Sequence, residues 1–332
     1  MSERLGAGEA GMAEDSVRVR VSVVLPTRNR FNQLRRALAS LEQQTYRHFE
    51  TWVVDDASAD ETADLLRTEN LRRCFPGLSR LFVLTNDQPC GAAASRNRAL
   101  RKARGEYIAF LDDDDAWLPE YLEWQVACLD ARPEAVSSCA NCERVEGDGG
   151  VRVPDVEPLL DYPSQLVHLL TEAFVHSMSV FVCRRTAVES VGLMNEKLSI
   201  VHDLEWYARL MLNGGSIVTA DGPPLVRRSG PGGLVTAHRD WYLEERHVID
   251  SVSCMDRTVA GEQRKILAYR SLFFARTALR RGDYAFAARR AIESLLRAPA
   301  RTLKIAIRRI LRNRRLARAA AGSQLEDNAG HD

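Results

Sequence analysis

The chain has 332 residues, 45% apolar and 27% charged, enough for one large or two modest globular domains. Its 46 Lys+Arg and 45 Asp+Glu nearly cancel to a formal net charge of +1, which excludes a nucleic-acid binder working through overall charge. Seven cysteines, at 74, 90, 128, 139, 142, 183 and 254, form an odd, scattered set that suits a reducing cytosol better than a disulfide framework.

Cys139 and Cys142 have C-x-x-C spacing, but no second pair or zinc-finger histidine accompanies them, so they read as two ordinary thiols. No stretch approaches the roughly 18 apolar residues of a membrane span. The protein is therefore expected to be cytoplasmic, either soluble or peripherally attached at the inner face of the membrane.

Residues 1–18 are rich in Gly, Ala, Glu and Ser and read as a disordered tail, not a signal peptide. Residues 17–25 begin with alternation and become continuously apolar, a strand running from edge to core. Pro26-Thr27-Arg28-Asn29-Arg30 is a loop, and Leu34, Leu38 and Leu41 mark a helix over 32–44. A second strand over 49–54 ends at Asp55-Asp56-Ala57-Ser58; a short helix follows over 60–67 and a third strand over 81–85. Residues 92–104 read as a helix closed by Gly105 as its C-cap.

The fourth strand, Tyr107-Ile108-Ala109-Phe110-Leu111, runs straight into four aspartates, Asp112 to Asp115. Further strands are expected over 136–144 and 177–183, with an irregular proline-rich connection over 155–163. Residues 202–212 read as a helix with Asp203 in its first turn, where the helix dipole favours a carboxylate. A short strand follows over 216–219.

From Asp240 on the texture is helical, with a hairpin of helices over 269–279 and 284–296 around Arg281-Gly282-Asp283. Residues 300–318 place Leu303, Ile307, Ile310 and Leu311 on one face and Lys304, Arg308, Arg312 and Arg315 on another. Such a helix can lie on an anionic membrane, or pack on the domain with its arginines in solvent.

Alternating strands and helices of these lengths indicate an α/β protein with a doubly wound, mostly parallel sheet. Ligands of such sheets bind beyond the carboxyl ends of the strands, where the loops at 26–30, 55–58 and 112–115 converge. Four neighbouring carboxylates repel one another, and burying even one uncompensated charge costs several kcal/mol. A solvated acidic loop is the bland reading. The buried strand before the cluster and Trp117-Leu118-Pro119 after it argue for a divalent cation with hard oxygen ligands, Mg2+ or Mn2+. Mg2+ is commonly held by one or two carboxylates and completed by substrate phosphates. The chain has neither G-x-G-x-x-G after its first strand nor a P-loop, so metal and arginine would replace glycine-loop amides at any phosphate.

Taken together, Val21-Ser-Val-Val-Leu-Pro-Thr-Arg-Asn29, Val53-Val-Asp-Asp-Ala-Ser58, Arg96-Asn-Arg-Ala-Leu100, the run from Gly105 to Asp115 and His202-Asp-Leu-Glu-Trp206 resemble a family 2 glycosyltransferase with the Rossmann-like GT-A fold. The resemblance covers roughly 19–230 and leaves the helical C-terminal region outside it. It divides the chain into a GT-A domain over 19–238, a helical region over 239–320 and a tail over 321–332.

The resemblance implies an inverting enzyme with a nucleotide-sugar donor, most often a UDP-sugar, and Mn2+ or Mg2+. Asp56 matches the carboxylate that meets the uracil, and Pro26, Thr27, Arg28 and Asn29 match the loop around base and ribose. Asp112 and Asp114 match the D-x-D motif, with Asp114 as metal ligand, Asp112 or Asp113 toward the ribose, and Arg96 near the nucleotide; four aspartates in a row leave this register open by one. Asp203 matches the catalytic base, although His202 stands where the family has Glu. Read alone, Asp203 is equally a helix N-terminal residue.

Trp117, His176, His202 and Trp206 are candidates for acceptor or sugar contacts. Acceptors in view are a polysaccharide, a lipid-linked glycan or a secondary metabolite. Two competing readings are a catalytically inactive nucleotide-binding or scaffold relative and a sugar nucleotidyltransferase; the latter usually carries a glycine-rich loop that the 26–30 segment lacks.

Overall fold

The structure, a computed structural model, describes residues 18–146, 149–152, 161–175, 177–220, 226–229 and 237–304. The expected tails, most of the 155–163 connection, His176 and the basic helix beyond 304 lie outside them. The chain divides into two compact units, one over 1–152, 177–193 and 217–229, the other over 153–176, 194–216 and 230–332.

In the first unit the strands are, in chain order, β1 (Val21–Thr27), β2 (Phe49–Asp55), β3 (Leu81–Thr85), β4 (Tyr107–Phe110), β5 (Asp115–Trp117), β6 (Ser137–Ala140), β7 (Cys142–Glu146), β8 (Gly149–Arg152), β9 (Phe181–Arg184), β10 (Ile217–Ala220) and β11 (Val226–Ser229). The helices between them are α1 (Phe31–Glu42), α2 (Glu61–Leu65), α3 (Thr68–Cys74), α4 (Ala92–Leu100), α5 (Tyr121–Asp130) and, after β9, α7 (Arg185–Val191).

Among the described residues a seven-stranded sheet has the order β10-β6-β9-β4-β1-β2-β3. All its pairings are parallel except those that β9 makes with β4 and β6. The mostly parallel sheet expected from the alternating pattern is therefore present. Its centre is buried on both faces: Val21, Val23, Val24 and Leu25 of β1 and Tyr107 to Phe110 of β4 are almost wholly enclosed, which is why these segments read as unbroken apolar runs. A smaller sheet runs β5-β11-β7-β8.

Several local expectations are corrected. The strand expected over 136–144 breaks at Asn141 into β6 and β7, which belong to different sheets. The 177–183 strand opens as a 3-10 turn over Met178–Val180 before β9. Pro26 and Thr27 belong to β1, since Thr27 pairs in register with Asp55.

Gly105 does not cap α4, which ends at Leu100 with Arg101 in helical conformation. It sits instead against β1: a Cβ there would fall 2.5 Å from the Ser22 nitrogen and 2.7 Å from the Val21 carbonyl carbon. Its amide donates to Ser22 Oγ at 2.8 Å. Glycine is needed here for close approach of two backbones, and a methyl would force one of them to move.

Among the described residues the second unit is helical: α6 (Gln165–Glu172), α8 (His202–Leu212), α9 (His238–Met255), α10 (Arg257–Arg280) and α11 (Tyr284–Arg297). The long α10 packs against α6, α9 and α11. At its middle Arg270 forms a bidentate pair with Glu245, at 2.5 and 2.6 Å, and donates to the Thr171 carbonyl at 3.3 Å. Both charged side chains are under 5% exposed, and the Phe273 ring lies under the guanidinium at 4.5 Å. Truncating one partner of such a pair strands the other in low dielectric, at a cost of about 3–5 kcal/mol.

His168 of α6 stacks between Tyr162 and Phe174, at centroid distances of 4.8 and 4.7 Å. Burial pushes its imidazole down from 6.5 to about 4. Between those values the unfolded chain takes up a proton that the folded one refuses, so this contribution is full above pH 6.5 and is lost as pH falls toward 4. Urea unfolding at pH 7 and pH 4.5 should show wild type losing about 1–3 kcal/mol more than His168→Phe, which keeps a ring in the stack and removes the titration. Equal losses would mean His168 is not the group responsible.

Candidate active site

Three loops leave the carboxyl ends of adjacent parallel strands β1, β2 and β4, so the sheet itself brings residues 28–30, 56–60 and 111–114 to one edge. The first two loops are stitched together. The Asn29 amide donates to Ser58 Oγ at 2.9 Å, Asn29 Oδ1 accepts from the Ala59 amide at 2.7 Å, and the Arg30 amide donates to Thr62 Oγ1 at 3.1 Å. Asn29 and Ala57 both hold left-handed backbone, with φ of 53° and 57°. Asparagine tolerates that region, whereas alanine is held there by its surroundings, here by the turn in which Asp55 Oδ1 accepts the Ser58 amide.

The aspartate cluster forms a turn closed by the Asp115 amide on the Asp112 carbonyl at 3.0 Å. Its side chains alternate. Asp113 and Asp115 are buried, while Asp112 and Asp114 are 25% and 29% exposed. Each described partner is a cation or a hydroxyl. Arg30 Nη1 donates to Asp113 at 3.0 Å and to Asp114 at 2.8 Å. Thr27 Oγ1 donates to Asp113 at 2.8 Å, and Arg96, itself 6% exposed, reaches Asp112 at 2.5 Å. Ser177 Oγ lies 3.1 Å from Asp112 and 3.2 Å from Asp115, and Ser179 Oγ accepts the Asp112 amide at 2.9 Å.

Burial pushes the Asp113 carboxyl up to about 6, and the Asp114 and Asp112 charges add to that, against Arg30 and the Thr27 hydroxyl, which pull it down. Among the described residues no group of three or more His, Cys, Asp or Glu side chains converges as a ready-made metal cage. The half-exposed pair Asp112 and Asp114 nevertheless offers the hard oxygen ligands of a divalent ion that takes its remaining ligands from phosphate and water.

Asp56 is 6% exposed and occupied by its own chain. It accepts from Asn86 Nδ2 and the Cys90 amide at 2.8 Å each, and from the Gly91 amide at 2.9 Å. Burial would raise this carboxyl, but those donors outweigh it and hold it below the usual range. Asp56 therefore fixes the segment 86–91 beside the loop. Arg28 and Asn29 are exposed and Pro26 is half-buried.

Of the aromatic candidates, Trp117 is 2% exposed; its ring stacks on Tyr121 at 4.2 Å and its Nε1 donates to the Ser179 carbonyl at 2.8 Å. Trp206 is fully buried. Both rings are packed against the protein in this structure. His202 is 5% exposed and His176 lies outside the described residues.

Asp203 sits in the first turn of α8, in the second unit, where its Oδ1 accepts the Leu204 amide at 2.7 Å. The roles of Arg30, Ser177 and Ser179 escaped the sequence reading. Arg30 stood in the quoted loop without an assigned partner, and the two serines come from a segment about 65 residues further on.

These contacts define a class: an α/β protein with a charge-compensated acidic turn at the carboxyl edge of a mostly parallel sheet. The model of the family described as Glycosyl transferase family 2 matches residues 22–192. A beta-1,3-glucosyltransferase of Escherichia coli, UDP-Glc:alpha-D-GlcNAc-diphosphoundecaprenol beta-1,3-glucosyltransferase WfgD, is 37% identical over 110 residues, 33% of this chain and 40% of that protein. The match thus spans two fifths of that relative's length.

The crystal structure of residues 1–349 of S. aureus TarS in complex with UDP-GlcNAc aligns with TM-score 0.58 at 20% identity, over 89% of this chain and 92% of that one. The mannosyltransferase PcManGT of Pyrobaculum calidifontis, in complex with GDP-Man and Mn2+, aligns with TM-score 0.51 at 19% identity over 89% and 88%. The structural likeness establishes the GT-A fold. The chain belongs to glycosyl transferase family 2.

The Arg30–Asp113 contact makes a quantitative prediction. Arg30→Ala should destabilise the protein by about 1–3 kcal/mol, below the full cost of breaking a buried pair because the arginine is a third exposed. Asp113→Asn in the Arg30→Ala background should recover part of that loss, giving a coupling energy of about 1 kcal/mol or more in a denaturation double-mutant cycle. Additive losses would mean the pair contributes nothing specific.

Proposed function

We propose that this protein is an inverting, metal-dependent glycosyltransferase moving a sugar from a nucleotide-sugar, a UDP-sugar first, to an acceptor hydroxyl. The observation that carries this reading is the alternation in the aspartate cluster: Asp112 and Asp114 half-open, Asp113 and Asp115 buried, with arginines on either side. It favours the D-x-D register 112/114 over the alternatives one residue away. Mn2+ or Mg2+ held by Asp114 together with donor phosphates would supply Lewis-acid stabilisation of the departing diphosphate.

The chain's own residues do the rest. Arg30 and Arg96 place positive charge beside that diphosphate, where charge builds as the glycosidic bond breaks. Pro26, Thr27, Arg28 and Asn29 frame base and ribose, Asp56 meets the uracil while holding the 86–91 segment, and Asp112 or Asp113 faces the ribose. Asp203 acts as general base, taking the acceptor proton while the hydroxyl attacks the anomeric carbon opposite the leaving group. One displacement inverts that centre.

The name of the E. coli relative, a transferase acting on a diphosphoundecaprenol-linked GlcNAc, supports a lipid-linked or surface-polysaccharide acceptor. No helix among the described residues is long and apolar enough to cross a membrane. Peripheral contact with an anionic membrane through the basic segment 300–318 is part of the same reading. Co-sedimentation with phosphatidylglycerol vesicles that is lost when 305–332 are removed supports it; no co-sedimentation removes it.

Calorimetric titration of UDP, GDP, dTDP and CDP with Mn2+ tests the donor site. UDP binding should be selective, abolished by EDTA and weakened at least about tenfold by Asp114→Ala, or about 1.4 kcal/mol. Asp203→Asn should keep that binding and lose transfer by about two orders of magnitude or more. Selectivity for another nucleotide changes the donor, and binding of none overturns the proposal.

A further inference from the structure

Helix α8 begins without a cap of its own. The residue before it, Val201, has no side chain able to accept a hydrogen bond, and the first backbone amides of any helix lack partners within it. The segment leading into α8 is held from elsewhere. Glu244, midway along α9, turns its carboxylate onto residues 199–201: Oε1 accepts from the Ser199 amide at 3.1 Å and the Ser199 hydroxyl at 2.7 Å, and Oε2 accepts from the Ile200 amide at 2.9 Å and the Val201 amide at 3.1 Å.

One side chain thus satisfies three consecutive backbone donors and a hydroxyl immediately ahead of His202 and Asp203. These charge-assisted bonds to a carboxylate are stronger than neutral ones, and the negative charge sits at the helix end that favours it. Burial would raise the Glu244 carboxyl, yet the Ser199 hydroxyl and the three amides hold it below the usual range, so the group that grips the turn is charged at neutral pH. The neighbouring Glu245 anchors α9 in turn through its buried pair with Arg270 of α10, so the helix that presents Glu244 is itself fixed.

We infer that Glu244 is a positioning residue for the transfer reaction: it fixes the 199–201 turn, and so the first turn of α8 on which Asp203 sits. This rests on the reading of Asp203 as general base. It gives the helical region beyond residue 238 a part in the reaction, although that region lies outside the 22–192 family match. Glutamate suits the task because its two oxygens accept on separate arms. Glutamine at the same place would keep an acceptor on one arm and lose it on the other.

The full chain carries the test, in wild type, Glu244→Ala, Glu244→Gln and Asp203→Asn. Hydrogen exchange reads the amides of 199–203, and UDP release is followed from UDP-glucose and UDP-N-acetylglucosamine with Mn2+ by hydrolysis, water standing in for the acceptor hydroxyl that Asp203 deprotonates and taking the sugar. In Glu244→Ala, exchange at Ser199, Ile200 and Val201 should quicken by about tenfold or more, since the bonds that protect them are gone. Its kcat should fall by about tenfold, as misplacement of a reacting group costs rate, while donor KM and UDP affinity stay within about twofold. Glu244→Gln should lie between wild type and alanine in both readouts.

Unchanged exchange at 199–201 overturns the inference, because the carboxylate then does not hold the turn. Full kcat in Glu244→Ala, with Asp203→Asn inactive, overturns it as well and leaves Glu244 a purely structural residue. Full turnover by Asp203→Asn sinks the base reading itself, and this inference with it. The two failures are therefore told apart in one set of proteins.

Discussion

Everything at the carboxyl edge of the sheet follows from four consecutive aspartates that must be kept from repelling one another. The chain answers with two arginines and two hydroxyls on the carboxylates, drawn from both sides of the cluster in sequence, and a third hydroxyl on the backbone. Arg30 bridges Asp113 and Asp114, Arg96 reaches Asp112, and Thr27, Ser177 and Ser179 fill in around them. Burial still pushes the Asp113 carboxyl up to about 6.

The parallel sheet makes this arrangement cheap to build. Neighbouring parallel strands end at the same edge, so loops separated by tens of residues meet without any long connection of their own. β1, β2 and β4 are adjacent, and Thr27 lies opposite Asp55 in the register. The apolar β1 and β4 cores hold the strands rigidly, and Gly105 lets the chain entering β4 lie directly against β1. The cost of concentrating charge at the edge is thus set against a buried apolar centre that carries none.

The second unit solves a different problem, that of orienting helices without a sheet. Its answer is a few polar contacts of high specificity, buried at Glu245–Arg270 and half-buried at Glu244. The Glu245–Arg270 pair joins α9 to α10, the Arg270 contact with the Thr171 carbonyl adds α6, and Glu244 joins α9 to the turn before α8. Such contacts add little net stability over an apolar core, because desolvating the charges offsets most of the attraction. They do specify one arrangement, since a shifted helix would leave a charge or several amides without partners.

The strand–helix alternation, the buried apolar runs and the aspartate cluster were legible in the sequence, because burial on both faces and hydrophobic periodicity leave a one-dimensional trace. The loops 26–30, 55–58 and 112–115 could be assigned to one edge on topology alone, and the family followed from five segments in order. Residues whose role depends on contacts across the chain were not legible. Arg30 gave no sign of its carboxylate partners, Trp117 and Trp206 looked available and are buried, and Gly105 looked like a helix cap and is a close-packing residue. The 136–144 segment read as one strand because local propensity carries no information about which sheet each half joins. By itself the sequence determined fold class, edge and family, all of which rest on short-range pattern. Only the tertiary structure decided which carboxylates stand open, which cation faces each of them, and that a glutamate of α9 holds the start of α8, since those depend on distances between side chains that are far apart along the chain.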